Sequence, residues 1–330
     1  MLTMHKSVRV GVLAAGALAL AACGGSDDKT GVLSLKITDS PVDDATEVVV
    51  VFTGVELKRA GDAPFSIDYC GEGDILSECQ KHIDLLTLQD GVTDDLLANE
   101  EVPAGQYEWL RLKVLAEQDT MDGSYIAFED GTENALYVPS GAQTGLKLVR
   151  PFVVAQGGTT RLVVDFDIRK SVIAPPGLQP NYLLKPTLRL VDEMLTGTIE
   201  GQVDLVALAA EQAVEGCVGG VYLFAEHGAT PDDMDGGTDG IDPIVYKSLL
   251  PDEANGIETS VSSYVIPFIE AGEYTIAFTC NFDVDSSPDA SNYNPGAEEG
   301  EDGYQTMAWT VHDVTIAPDE TVIVDFPFTD

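Results

Sequence analysis

The chain is predicted to be all-β, with two β-sandwich domains in tandem behind a cleaved export signal, and three observations carry that prediction. Residues 161–169 alternate. Leu162, Val164, Phe166 and Ile168 stand against Arg161, Val163, Asp165, Asp167 and Arg169, a period of two that sends one set to a buried face and the other outward. Residues 184–190 repeat the pattern, with Leu184, Leu188 and Leu190 against Lys185, Thr187 and Arg189, so neighbouring strands could pair Asp165 and Asp167 with Lys185 and Arg189 across the ladder. Short β-branched runs punctuated by turn residues then recur along the whole chain, as sandwich strands do.

The first 22 residues combine a basic opening (His5, Lys6, Arg9), an apolar stretch too short to span a bilayer, and small residues before Cys23. This reads as an export signal that is removed. The ending Leu20-Ala21-Ala22-Cys23, followed by Gly24, resembles the lipobox of bacterial lipoproteins, whose cysteine receives the lipid and becomes the new N-terminus. The resemblance implies a triacylated Cys23 that holds the chain to a lipid membrane, since stable anchoring takes more than one acyl chain. An Asp after the cysteine commonly keeps lipoproteins of Gram-negative bacteria at the inner membrane, so Gly24 implies the outer one. Residues 23–30 then form a lipidated tether.

An N-terminal domain is expected over residues 31–193. Residues 32–39 and 46–58 are strand-like and are separated by the turn Ser40-Pro41-Val42-Asp43-Asp44. Residues 59–81 are irregular and carry Pro64 and two cysteines. Residues 83–99, with Leu85, Leu86, Leu88, Leu96 and Leu97, are the one modest helix candidate. Residues 108–114 are a strand in which Tyr107, Trp109, Arg111 and Lys113 are expected to share one face and Leu110, Leu112 and Val114 the other. That aromatic and basic row could stack on a sugar ring or hold an acidic polymer. The alternative is that Trp109 lies under a loop and both cations pair with carboxylates.

Five segments of this half carry a resemblance. Leu33 to Pro41 (LSLKITDSP), Val102 to Tyr107 (VPAGQY), Ser140 to Leu148 (SGAQTGLKL), Asp165 to Val172 (DFDIRKSV) and Leu184 to Val191 (LKPTLRLV) resemble, in order, the bacterial lipoprotein domain known as domain of unknown function 4382. The resemblance implies an all-β fold on a surface lipoprotein. It brings no activity with it.

A second domain is expected over residues 196–330, with strands at 196–206, 219–225, 260–269, 307–316 and 320–326. Ile269-Glu270-Ala271-Gly272-Glu273-Tyr274 repeats the turn-and-strand pattern of residues 102–112, and this hairpin resembles those of prealbumin-like and carboxypeptidase-regulatory-like modules.

Charge divides the chain unevenly. Thirteen of seventeen Lys and Arg lie between Lys36 and Arg189, whereas residues 196–330 hold 27 Asp and Glu against the single Lys247. Such a surface repels nucleic acid and anionic headgroups, so no nucleic-acid partner is expected. Two acidic loops, with Asp232, Asp233, Asp235, Asp239 and Asp242 in one and Asp283, Asp285, Asp289, Glu298, Glu299, Glu301 and Asp302 in the other, offer the oxygen ligands calcium takes. The EF-hand spacing fails when counted from Asp233 or from Asp235. A solvating acidic surface and a looser calcium site therefore both stand as readings, with no other cofactor expected.

Setting Cys23 aside, Cys70, Cys79, Cys217 and Cys280 form an even set, as in exported proteins with disulfides. Of three connectivities, Cys70 with Cys79 and Cys217 with Cys280 is favoured by proximity in the chain. His82, His227 and His312 have no zinc-helix spacing, and no nucleophile elbow, phosphate loop or dinucleotide fingerprint occurs, so an enzyme is not expected. The function expected is a non-catalytic envelope lipoprotein acting as a binding or structural module. A calcium-dependent adhesion or matrix component and a carbohydrate-binding accessory protein are its rivals, with an envelope glycan or protein as partner.

Overall fold

The computed structural model describes residues 29–40, 45–118, 122–139, 145–174, 181–185, 187–214, 217–232, 241–249, 261–282 and 307–327. Cys23 and the first strand-to-strand turn fall outside these residues. Among the described residues no helix is long and apolar enough to cross a membrane.

The protein is all-β, built of stacked sheets. Strands β1 (Thr30–Ser40), β2 (Ala45–Arg59), β3 (Phe65–Asp68), β4 (Lys81–Asp84), β5 (Asp94–Pro103), β6 (Gly105–Val114) and β7 (Tyr125–Phe128) open the N-terminal half. They are followed by β8 (Glu133–Tyr137), β9 (Leu146–Leu148), β10 (Phe152–Val154), β11 (Thr159–Asp167), β12 (Val172–Ile173), β13 (Tyr182–Leu184) and β14 (Leu188–Asp192). A four-stranded sheet, β14-β11-β1-β5, faces a ten-stranded one running β10-β6-β2-β7-β8-β13-β12, with β3 and β4 paired to β2 and β9 to β6. One core lies between them. Leu33, Leu35 and Ile37 of β1 and Leu162, Val164 and Phe166 of β11 meet Val50 and Phe52 of β2 and Leu110 and Leu112 of β6. Burial of such side chains contributes roughly 1.5–3 kcal/mol each.

The C-terminal half holds β15 (Thr196–Asp204), β16 (Gly219–Ala225), β17 (Val245–Leu249), β18 (Val261–Glu270), β19 (Gly272–Thr279), β20 (Thr310–Ile316) and β21 (Thr321–Ile323). The sheets β18-β15-β21 and β17-β16-β19-β20 enclose Ile199, Val203, Val221, Leu223, Ile266, Ile276 and Phe278. Both favoured disulfides form, Cys70 to Cys79 and Cys217 to Cys280, with Cα separations of 5.3 and 4.5 Å.

Three local expectations are corrected. Residues 83–99 are not a helix: β4 ends at Asp84, a single 3-10 turn spans Leu85–Thr87, and β5 begins at Asp94. The reason is the pair Asp90-Gly91, both at positive φ (58° and 85°), which reverses the chain and delivers Leu96 and Leu97 to the same core as Leu85 and Leu88. The longest helix among the described residues is Leu205–Gln212, which overlaps the end of the strand expected over residues 196–206 and runs beyond it. Asp204 caps it by accepting from the backbone N–H groups of Val206 and Ala207, and Ala213 closes it in the left-handed region. Strand β11 ends before Ile168, because Asp167 caps the short helical turn Ile168–Ser171.

Strict alternation on β11 also fails at one residue. Val163 is buried along with its neighbours, as is Val191 on β14. The outer side of the four-stranded sheet meets the C-terminal half, with β17 beside β1 and β18 beside β14.

Candidate functional site

The seam between the halves gathers the charged groups of the β11 to β14 ladder. Asp165 lies directly across from Arg189, and its Oδ2 accepts from Nη2 at 2.6 Å and from Nε at 3.2 Å. That is one of the two cross-ladder pairs expected. The other does not form, for Asp167 turns to its own helix. Its Oδ1 accepts from the Lys170 backbone N–H at 3.1 Å and from the Tyr246 hydroxyl at 3.2 Å, with Lys170 Nζ 4.0 Å from Oδ2. Burial raises the Asp167 carboxyl above its ordinary range; Lys170 and the backbone N–H oppose this, and Asp165 adds to it. Asp165, Asp167, Lys170, Thr187, Arg189 and Tyr246 line a cavity of about 120 Å³, room for a few water molecules.

Beside it Lys247, the single cation of the acidic half, pairs with Asp90 across the seam at 2.7 Å, with only 12% of its side chain exposed. A second bridge joins Arg150 to Glu270. The seam is thus held by a cation from each side, each matched to a carboxylate of the other half. Tyr246, Lys247, Asp90 and Lys170 were missed as site residues in the sequence. A lone lysine among 27 carboxylates was the available signal, but its partner lies far away in the chain.

The second candidate is the Trp109 face of β6, and it is smaller than expected. Tyr107 does not belong to it, being fully buried in the core and stacked on Phe152 with ring centroids 5.0 Å apart. A register shift explains this: Lys58 pairs with Trp109 but Arg59 with Tyr107, so Glu108 is an extra residue that flips the alternation. Trp109 remains on the outer face, with the Arg111 guanidinium 5.1 Å and Lys147 Nζ 4.2 Å from its ring. Arg111 pairs with Glu56 at 2.7 Å and Lys113 with Asp68. Both cations are therefore neutralised by neighbouring strands.

Of the aspartates considered for calcium, Asp232 is buried, at 1% exposure. Asp233, Asp235, Asp239, Asp283 and Asp285 lie outside the described residues. Among the described residues no group of three or more His, Cys, Asp and Glu comes close enough to hold a metal ion.

Sheets, cores and staples together define a disulfide-stapled, all-β protein of sandwich-like sheets. Residues 30–186, just under half of the chain, match the family model described as "Domain of unknown function (DUF4382)". No curated protein matches. Among solved structures the chain is similar to a candidate cell adhesion protein from Bacteroides eggerthii DSM 20697, at 12% identity and TM-score 0.19, covering 90% of this chain and 86% of that one. A DUF3823 family protein from Bacteroides uniformis ATCC 8492 aligns at 10% identity and TM-score 0.14, covering 87% and 99%. A point mutant of the major pilin from Streptococcus pyogenes aligns at 11% identity and TM-score 0.16, covering 89% and 98%. At such scores the likenesses carry no argument about this chain.

Proposed function

We propose that the protein is a non-catalytic lipoprotein of the cell envelope, held to the outer membrane through acylated Cys23 and acting there as a binding or structural module. The observation that carries this reading is the division of labour among the cysteines. Cys23 stands in the lipobox-like Leu-Ala-Ala-Cys, while the other four close into two disulfides, which persist in an oxidising compartment. The seam supports the structural side of the reading, because its charged groups are taken up by one another: Asp165 by Arg189, Asp90 by Lys247, Glu270 by Arg150. The partner proposed is an envelope glycan or protein, and the outer face of β6 at Trp109, whose ring carries Lys147 and Arg111, is where it would make contact on the N-terminal half.

The test is fractionation of cells expressing the full chain with labelled palmitate. The wild-type chain takes up label and pellets with membranes, whereas Cys23→Ser takes up none and loses membrane retention after processing. A wild-type chain that is processed, unlabelled and soluble would refute the proposal.

A further inference from the structure

One end of the N-terminal half is unlike the rest of the molecule, and it is the end where the chain enters. Lys29 O accepts from the Ala104 N–H at 2.7 Å, Thr30 O from the Gly157 N–H at 2.8 Å, Gln106 O from the Ala60 N–H at 2.8 Å, and Ala104 O from Arg59 Nη1 at 3.0 Å. These bonds knit loops 60–64, 103–106 and 155–158 into one tip around the first residues of β1. The loops are made of Ala, Gly, Pro and Gln with a single carboxylate, Asp62, and that one is paired with Arg59. At their margins Lys58 stands 3.8 Å from Glu108, and the Thr30 hydroxyl donates to Glu101 at 2.6 Å. With Lys29 exposed beside them, cations and carboxylates come close to balance here, on a chain of net charge −39. On β10, whose Val154 pairs with Gly105, the apolar Val153 is 60% exposed.

We infer that this tip is the surface of the protein that rests on phospholipid headgroups. The inference builds on the proposal that Cys23 carries the lipid. Six residue steps separate Cys23 from Lys29, which is at most about 22 Å of chain. Whatever surrounds Lys29 is therefore held within a short reach of the bilayer. A tip of small side chains near charge balance can approach an anionic headgroup layer, from which the 27 carboxylates of the C-terminal half are pushed away.

The experiment is amide hydrogen exchange on the full acylated chain, in vesicles of phosphatidylethanolamine and phosphatidylglycerol (about 3:1, to set an anionic surface) and in neutral detergent micelles. Loops 60–64, 103–106 and 155–158 are expected to exchange several-fold more slowly in vesicles, with β16 and β19 unchanged. The exposed-site variant Lys29→Glu/Ala63→Glu, checked for an unchanged circular dichroism spectrum, is expected to return those loops to their detergent rates. Equal rates in the two media, protection centred on the acidic half, or protection that survives the two Glu substitutions would each overturn the inference. The mass of the mature N-terminus, measured on the same sample, separates the two failures. Without acyl chains on Cys23 the anchor itself is wrong; with them and no protection, only the resting surface is.

Discussion

The Tyr246 hydroxyl donates to Oδ1 of Asp167 at 3.2 Å and so joins the C-terminal half to the central ladder of the N-terminal half. The carboxylate that caps one helical turn also receives the other half, and its protonation bears on both tasks.

Because burial raises the Asp167 pKa, the folded chain holds that proton more tightly than the unfolded one. This stabilises the fold at low pH, and the contribution is lost as pH rises from the ordinary value of 3.8 through the raised folded value. Asp167→Asn keeps a capping oxygen and an acceptor for Tyr246 while removing the buried charge. The unfolding free energy of the variant relative to wild type should therefore rise with pH across that window, as read from urea denaturation from the acid limb to neutrality. A relative stability that falls with pH would mean that the attraction to Lys170 outweighs burial.

The Lys247 to Asp90 pair should make the seam sensitive to salt. A double-mutant cycle with Lys247→Gln and Asp90→Asn is expected to give a coupling of about 0.5–1 kcal/mol at low ionic strength, smaller at about 1 M salt because the Asp90 side is half exposed.

Tyr107 and Tyr274 both reach back four residues, the first to Pro103 O and the second to Glu270 O, each at 2.7 Å. The repeated Ala-Gly-x-Tyr of the sequence is thus a repeated hydrogen bond that pins the start of a strand to the turn before it. Tyr107→Phe or Tyr274→Phe should each cost about 1 kcal/mol in chemical unfolding. Binding of soluble glycans, followed by tryptophan fluorescence, should be indifferent to Tyr107→Phe, since that ring is buried.

The two staples should differ in worth. They close segments of 63 and 9 residues, and on loop entropy alone the larger is worth about 4 kcal/mol and the smaller about 2.6 kcal/mol. Replacing Cys217 and Cys280 by Ala should lower the urea midpoint more than replacing Cys70 and Cys79.

Much of the fold was legible because alternation is a local signal: the inward set Leu162, Val164 and Phe166 is buried as its period dictates, and Asp165 meets Arg189. What escaped was set by distant or single-residue effects. A one-residue bulge at Glu108 moved Tyr107 into the core, and no residue type at that position announces it. The helix after Asp204 did carry a signal, a capping aspartate before Leu-Val-Ala-Leu-Ala-Ala, which a strand reading overrode. Val163 looked solvent-facing because the strands packed on the outer side of its sheet, β17 beside β1 and β18 beside β14, come from far along the chain.

The lipid anchor is best tested on the mature N-terminus itself. Tryptic digestion of membrane-extracted protein should release a peptide that begins at Cys23, ends at Lys29 and carries the added mass of a diacylglyceryl group and an N-linked acyl chain. An unmodified Cys23 peptide, or one that still runs back to Val10, would contradict the anchor and with it the place proposed for this protein in the envelope.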